Sequence, residues 1–357
     1  MKPTAALHRL GQSIWLDNIT RAMLDDGTLA RYVTELSVTG LTSNPTIYNL
    51  AVKGSAAYDP AIAARVREGL AGDRLFFELA IEDLTRAADL FRPVYDRTGG
   101  LDGWVSLEVS PHLAYDAAAT LAAAKDLFAR AARPNLFIKI PGTPMGLPAI
   151  EESIAAGVPV NVTLLFTQEH YLAAAEAYLR GIERRIDAGL SPRVASVASL
   201  FISRWDAASA GDLPNHLKNT LGIAVGERCY QAYRSLLASD RFQRLANFGA
   251  LPQRLLFAST GTKDPALSDH LYVRGLAAPL TINTMPEQTL LAFADHGTLD
   301  GVLSSGGGQS SRTLFEIART GMDVAVLGEQ LQSQGAAAFV KSWDELLQVI
   351  AAKSRGV

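Results

Sequence analysis

The sequence predicts an α/β fold, a single (β/α)8 TIM barrel over residues 1–357, with extra helices between strands two and three and at the C-terminus. Short β-branched and apolar runs alternate with Ala-, Leu-, Glu- and Arg-rich segments, which is typical of parallel strands joined by helical crossovers. Eight such runs favour a closed barrel over the alternative, an open doubly wound sheet. No Gly-rich, Pro-rich or charged linker divides the chain, so we expect one domain.

Four of the predicted strands lie in the N-terminal part of the chain. Their ranges are 13–19, 38–45, 104–110 and 136–143. Helices are predicted near 20–36 and 114–132, because apolar residues recur there at helical spacing or alanine predominates. The long segment between strands two and three contains RLFFELAIEDLTRAADLF, which predicts several extra helices.

The other four predicted strands lie in the C-terminal part. Their ranges are 159–166, 193–204, 254–260 and 280–284. Helices are predicted near 147–156 and 168–187, and the segment after the last strand is helical except for a Gly/Ser interruption at 304–311. That interruption lacks the Lys-Ser/Thr ending of a P-loop and predicts a turn. We expect the C-terminal helices, which contain Phe339 and Trp343, to pack outside the barrel rather than over its mouth.

Composition and charge exclude several classes of protein. Hydrophobic residues make up 48% of the chain and charged residues 19%, which is ordinary for a globular domain and excludes disorder, collagen and a coiled-coil rod. The 33 basic and 36 acidic residues give a net charge of −3. Nucleic-acid and membrane-surface binders usually carry a basic excess, so we expect neither partner.

The usage of cysteine and histidine predicts a protein without disulfides or metal. One cysteine, Cys229, cannot form an internal disulfide or a Cys-based zinc site, and its helical surroundings predict a buried side chain. A chain of this length without disulfides suits the cytoplasm, and its N-terminus lacks the apolar region of a signal peptide. The six histidines show no metal-binding spacing with a carboxylate, so no metal and no cofactor are expected.

Polar side chains interrupt nearly every predicted strand, toward its middle or its C-terminal end. They are Asp17, Thr42, Asn44, Glu108, Lys139, Asn161, Thr163 and Ser199. A buried polar group is costly unless it is paired. The C-terminal ends of barrel strands converge on the catalytic face. We therefore expect these side chains to share one site.

Lys139 is the most informative of them. Phe137, Ile138 and Ile140 flank it, so a strand here would bury its amine. Desolvation favours the neutral amine, which is the nucleophile that Schiff-base chemistry on a carbonyl requires. The alternatives are a lysine that extends to the barrel rim, or one that pairs with an acid for structural reasons.

Three further residues are candidates for proton transfer. Asp17 would be the proton carrier nearest to Lys139, although a turn or N-cap residue before the helix near 20 is an equally good interpretation. Glu108 would orient a water in a proton relay, or else form a structural ion pair with Lys139. Thr163 would hold that water, or simply reflect the β-propensity of threonine.

The remaining candidates would bind substrate. The amides of Asn44 and Asn161 could hold substrate hydroxyls, or serve as loop and turn residues. Arg204 follows Ser199 by five residues, and an arginine with a serine hydroxyl and backbone amides makes a phosphate clamp; a surface salt bridge is the alternative. Lys263, just past the seventh strand, is a weaker second cation.

Four segments together resemble the transaldolase family. They are SIWLDNI, VTGLTSNPTIYNLAVKGSAAYD, LFIKIPGTPMGLPAIEESIAAGVPVNVTLLFT and TINTMPEQTLLAFADHG. The resemblance runs through nearly the whole chain, and TSNPTI, IKIPGT and NVTLLF in this order are highly specific. The TINTMP segment and the length resemble the longer bacterial branch, whose members also occur fused to phosphoglucose isomerase. Nothing resembling that isomerase is present here.

The resemblance implies catalytic roles for four residues. Lys139 matches the lysine that forms the Schiff base. Asp17 matches the general acid/base for carbon–carbon cleavage and formation. Glu108 and Thr163 match the residues that hold the catalytic water.

The resemblance also implies the substrate contacts. Asn44 and Asn161 match the two asparagines that contact the substrate, and Ser199 and Arg204 match the phosphate site. The family commonly has S-P-F before its arginine, whereas this chain has SLFISR, with Leu200 in place of proline.

The activity that the resemblance implies is the reversible transfer of a dihydroxyacetone unit between sugar phosphates, in the non-oxidative pentose phosphate pathway. No metal or organic cofactor is implied, and the protein would be a cytoplasmic monomer or homodimer. Two rivals stay open: a Schiff-base aldolase that releases free dihydroxyacetone, and a sugar-phosphate-binding protein without catalysis.

Overall fold

Eight short parallel strands pair in chain order and close into one barrel in the computed structural model, which describes residues 1–262 and 264–356. The strands β1 to β8 are Ser13–Leu16, Val38–Leu41, Trp104–Glu108, Leu136–Pro141, Val160–Leu165, Ser196–Phe201, Gln253–Ala258 and Ile282–Met285. Strand β1 pairs with both β2 and β8, so the sheet has no free edge. The barrel prediction is confirmed, and the open sheet is excluded.

Helices follow the strands as crossovers and as additions. The α-helices α1 to α16 are Pro3–Arg9, Arg21–Asp25, Thr28–Glu35, Pro45–Lys53, Asp59–Arg67, Gly72–Arg97, Ala117–Ala131, Leu147–Ala155, Gln168–Asp187, Ser203–Ser209, Leu221–Ala238, Asp240–Asn247, Leu271–Gly275, Glu287–His296, Ser310–Ala318 and Val324–Ser354. Three helices, α4, α5 and α6, lie between β2 and β3, where a regular barrel has one, so the predicted extra helices in this segment are confirmed. Among the described helices, none has the length and apolarity needed to cross a bilayer.

Two predicted elements differ from the observed ones. The helix predicted over 20–36 is divided into α2 and α3, because Gly27 has a φ of +77° that ends the helical path. The strand predicted over 193–204 ends at Phe201, and Ser203 begins α10. Arg204 therefore projects from a helix rather than from a strand.

An aromatic layer fills part of the barrel below the polar side chains. The indole N–H of Trp15 donates a 2.8 Å hydrogen bond to Asp102, and a Cβ on Gly40 would lie only 2.7 Å from the Trp15 ring. Phe137 stacks on Trp104 with ring centroids 4.1 Å apart. Every strand residue is buried, as expected for parallel strands that helices cover.

The last helix lies across part of the barrel mouth, so the expectation that the C-terminal helices pack only outside was wrong. From α16, the Gln332 amide donates hydrogen bonds to the carbonyls of Gly142 and Leu164, at the C-terminal ends of β4 and β5. Phe339 of α16 borders the central cavity. The close approach of α16 to the barrel depends on Gly335, where a Cβ would lie 3.0 Å from the Leu164 side chain.

Candidate active site

A cavity of about 400 Å³ opens at the C-terminal face of the barrel. Six of the eight predicted site residues line it: Asp17, Asn44, Lys139, Thr163, Ser199 and Arg204. The other two, Glu108 and Asn161, are buried and contact members of that group. The structure thus places the eight candidates in one site, while Lys263 lies outside the described residues.

Lys139 occupies the middle of β4 and its amine is buried. Only 5% of its side chain is exposed, so it does not extend to the rim. Its Nζ donates a 3.1 Å hydrogen bond to the carbonyl of Ser43 and lies 3.2 Å from Oε2 of Glu108. The ring of Phe339 lies 5.6 Å from Nζ on the side of α16. The amine is therefore held in a buried position at the cavity, with Glu108 as its salt-bridge partner and Asp17 as a second acidic group in the same cavity.

Glu108 lies opposite Lys139 in the register of β3 and β4. Burial raises the pKa of its carboxyl group, and the nearby Lys139 charge partly opposes that rise. Neither carboxylate oxygen has a hydrogen-bond partner among the described residues, so the contact with Lys139 is an ion pair. Each oxygen is thus available to a bound water or to a reacting group.

Thr163 sits beside an irregular point of β5. The pairing of β5 with β6 shifts register between Val162 and Leu165, and Leu164 has a φ of +61°. Bulges of this kind turn a side chain away from the regular ladder. Thr163 borders the cavity, and its buried hydroxyl, like the Glu108 oxygens, has no hydrogen-bond partner in the described part of the chain.

Asp17 follows β1 and faces the same cavity. The Thr42 hydroxyl donates a 2.8 Å hydrogen bond to Oδ1 of Asp17. Burial raises the pKa of Asp17, and Lys139 first, then Thr42 and Arg204, oppose the rise. The N-cap interpretation is wrong, because Thr20 caps α2 instead.

Asn44 has a structural role as well as a place in the cavity wall. Its side-chain oxygen accepts a hydrogen bond from the backbone N–H of Ile47 and so caps α4. That bond leaves the amide N–H₂ group for the cavity.

Hydrogen bonds at both the oxygen and the nitrogen of its amide hold the Asn161 side chain in place. It accepts a 2.7 Å hydrogen bond from the Ser199 hydroxyl and donates one of 3.1 Å to Ser106. Because the Ser199 proton is used in this way, Ser199 can offer only an acceptor oxygen to a ligand. Ser199 therefore orients the Asn161 side chain and has no hydroxyl proton left to donate to a phosphate group.

Arg204 lies between two aromatic rings at the cavity wall. Its guanidinium carbon is 4.9 Å from the Phe201 ring centroid and 5.9 Å from that of Phe339. Burial lowers its pKa, but a guanidinium stays charged throughout the physiological range. Arg204 lines the cavity and is largely shielded from solvent, and Asp17 of the same cavity is the carboxylate whose charge affects its pKa, so the surface salt bridge interpretation does not hold.

Sequence reasoning missed several residues of this site. Ser203 and Ser259 line the cavity beside Arg204, and their hydroxyls lie 2.9 Å apart. The position of Ser259 just after β7 was an available signal, since the loops after strands seven and eight commonly bind phosphate. No such signal marks Phe339, because its sequence neighbours do not distinguish a residue of the cavity wall from an ordinary core residue.

Comparisons with known proteins show the family to which the chain belongs. The family model described as Transaldolase/Fructose-6-phosphate aldolase matches residues 14–350. The chain is 44% identical to Transaldolase of Saccharopolyspora erythraea over 97% of this chain and 96% of that protein. It is 43% identical to Transaldolase 1 of Streptomyces avermitilis over 97% of this chain and 94% of that protein. It is 42% identical to Transaldolase of Thermobifida fusca over 98% of this chain and 97% of that protein. The chain therefore belongs to the transaldolase/fructose-6-phosphate aldolase family.

Proposed function

We propose that this protein is a transaldolase, a transferase that moves a dihydroxyacetone unit from a ketose phosphate to an aldose phosphate through a Schiff base on Lys139. The donors would be fructose 6-phosphate and sedoheptulose 7-phosphate, and the acceptors erythrose 4-phosphate and glyceraldehyde 3-phosphate. The observation that carries the proposal is the buried Lys139 amine, which lies in the cavity beside one carboxyl group, 3.2 Å away.

Formation of the Schiff base needs a neutral amine. Transfer of a proton from Lys139 to Glu108 produces a neutral amine and a neutral acid, so the buried pair does not change its net charge. Burial makes this transfer easier, because it raises the pKa of Glu108. The amine then attacks the ketone carbon, and the carbinolamine loses water when Glu108 returns the proton. A water between Glu108 and Thr163, whose oxygens have no partner among the described residues, would relay protons.

Cleavage follows from the protonated imine, which acts as an electron sink. Ionised Asp17 takes the proton of the C4 hydroxyl, the C3–C4 bond breaks, and its electron pair forms an enamine on Lys139. An aldose phosphate leaves. In the reverse direction an acceptor aldehyde is attacked by the enamine, and Asp17 returns the proton to the new alkoxide.

Other residues hold the sugar and its phosphate. The amides of Asn44 and Asn161 would bind the hydroxyls of the three-carbon unit and so slow its loss by hydrolysis. Arg204 would bind the phosphate group of donor and acceptor, with Ser199 as a supporting residue behind Asn161. Fixing the phosphate orients the carbonyl toward Lys139, which lowers the entropic part of the barrier.

This chemistry needs no metal or organic cofactor, since the imine supplies the electron sink. We further propose that the protein acts in the non-oxidative pentose phosphate pathway of the cytoplasm, as a monomer or homodimer, without nucleic-acid or membrane partners. These statements rest on the family resemblance and on the near-neutral charge of the chain.

Product analysis tests the proposal against its two rivals. Fructose 6-phosphate is incubated with the protein, with and without erythrose 4-phosphate. A transaldolase forms sedoheptulose 7-phosphate, and forms glyceraldehyde 3-phosphate over many turnovers, only when the acceptor is present; without acceptor it releases one glyceraldehyde 3-phosphate per chain and then stops as the enamine on Lys139. An aldolase releases dihydroxyacetone without acceptor, and a binding protein forms no product; either result contradicts the proposal. Lys139→Met should be inactive, while Lys125→Met, which changes an exposed lysine of α7, should keep full activity.

A further inference from the structure

Two histidines and an aspartate meet at the rim of the barrel mouth. Asp269 and His270 lie just before α13, and His296 is the last residue of α14. His296 follows His270 by 26 positions in the sequence, so the spacing of a short motif could not reveal the cluster. They border a surface cavity of about 710 Å³, and Asp269 also borders the cavity that contains Lys139.

The donor atoms of this cluster lie close to one another. Nδ1 of His270 lies 2.9 Å from Oδ1 of Asp269, and Nε2 of His296 lies 3.2 Å from each Asp269 oxygen. All three donor groups lie within 4.8 Å of one another. Zinc ligands about 2.0–2.2 Å from the ion at tetrahedral angles are about 3.3 Å apart, so only small side-chain movements would be needed.

The surroundings of the cluster also fit a metal site. Nδ1 of His296 lies 3.1 Å from Oδ2 of Asp295, and such a carboxylate orients the ring of a metal-binding histidine and makes it more basic. His270 is only 7% exposed and lies against the Phe293 ring, 5.9 Å between centroids. The adjoining surface cavity leaves a fourth position for water and a route of entry.

We propose that Asp269, His270 and His296 bind one divalent transition-metal ion of the Zn²⁺ class. Two imidazoles and one carboxylate suit zinc, whereas Mg²⁺ and Ca²⁺ prefer oxygen ligands throughout. The three residues take no part in the Schiff-base steps, so the ion would be a rim site beside the active-site cavity. The proposal concerns binding alone and does not depend on the proposed function.

The test uses full-length protein that has been freed of metal by a chelator and then dialysed. Co²⁺ is added as the probe, because its visible d–d absorption reports ligands bound directly to the ion, and Zn²⁺ binding is measured by calorimetry. We expect one Co²⁺ per chain with a four-coordinate spectrum, and displacement of that spectrum by Zn²⁺ but not by Mg²⁺.

Variants connect the spectrum to these residues. His296→Ala and Asp269→Ala should weaken binding by more than about 100-fold, and Asp295→Asn by about 10-fold, since it only orients a ligand. The matched control is His112→Ala, which breaks an exposed His–Asp pair with Asp344 at 2.8 Å that has no second histidine. Circular dichroism checks that each variant is folded. Three results would overturn the proposal. They are the absence of the d–d spectrum in the unmodified protein, metal binding by His296→Ala as tight as by the unmodified protein, and a loss of binding in His112→Ala as large as that in His296→Ala.

Discussion

Nζ of Lys139 lies 3.2 Å from Oε2 of Glu108, and these two residues are direct neighbours in the register of β3 and β4. Both side chains are at least 95% buried. A buried pair is often a poor source of stability, because desolvation offsets the attraction between its charges. Here the pair gives the amine a proton acceptor in a low-dielectric cavity, and this relationship leads to the first prediction.

Glu108→Gln should slow the formation of the Schiff base. Glutamine cannot accept the proton of Lys139 or return it to the departing water, and general acid–base groups contribute about 10²–10⁴-fold to rates. Single-turnover trapping with borohydride measures the rate of adduct formation directly. The control Glu68→Gln changes an exposed glutamate and should leave the rate unchanged. An unchanged rate in folded Glu108→Gln would remove Glu108 from the mechanism.

Thr42→Val should move the acid limb of the kcat profile to higher pH. Asp17 must be ionised to act as a base, so kcat falls as the pH drops through its raised pKa. The Thr42 hydrogen bond favours the carboxylate, and its loss therefore raises that pKa further. Thr284→Val is the matched control, since Thr284 contacts the Thr42 hydroxyl but not Asp17. If the acid limb of the kcat profile stays at the same pH in Thr42→Val, or shifts equally in both variants, this role of Asp17 is refuted.

Phe339→Ala should raise KM for phosphorylated donors by about 10-fold. The Phe339 ring packs on the Arg204 guanidinium, and a desolvated cation–π contact contributes about 1–2 kcal/mol. Without the ring, Arg204 loses both its orientation and part of its shielding from water. Unphosphorylated fructose provides the comparison, because its KM should change little. The control Phe315→Ala removes an exposed ring of α15; an equal effect of both variants, or on both sugars, would count against phosphate positioning.

Asp83→Asn should destabilise the protein by about 3 kcal/mol, because it leaves the buried Arg21 guanidinium without its closest partner. Asp83 is fully buried, and its carboxylate lies 2.9 Å from Arg21. The matched control is Asp89→Asn on the same helix, which breaks a surface pair with Arg133 and should cost less than about 1 kcal/mol. Denaturant unfolding measures the free energy of unfolding of both variants. Similar losses would show that the buried Arg21–Asp83 pair stabilises the protein no more than the surface pair does.

Much of the fold could be predicted because its signals are local. Each barrel strand is a short, mainly apolar and β-branched run in which a few polar residues stand out, and each run is followed by a helical segment. The site could be predicted for the same reason, since a residue such as Lys139 stands out within an apolar strand. Parallel strands of one barrel then bring such residues to one face without further information.

Long-range contacts could not be predicted in this way. The place of α16 depends on where the Gln332 amide finds acceptors, and those carbonyls lie at the ends of β4 and β5, more than 160 positions earlier in the chain. The bond between Ser199 and Asn161 depends on the register of β5 and β6. Arg204 was placed on a strand because its neighbours Phe201 and Ile202 have high β-propensity, whereas the chain already turns there into α10.

Covalent trapping tests the central claim most directly. The protein is incubated with fructose 6-phosphate, reduced with borohydride, and analysed by intact mass and peptide mapping, beside Lys139→Met and Lys125→Met. The account predicts one reduced three-carbon adduct on the peptide that contains Lys139, present in Lys125→Met and absent from Lys139→Met. No adduct in the unmodified protein, or an adduct that persists in Lys139→Met, would contradict the assignment of Lys139 as the Schiff-base residue.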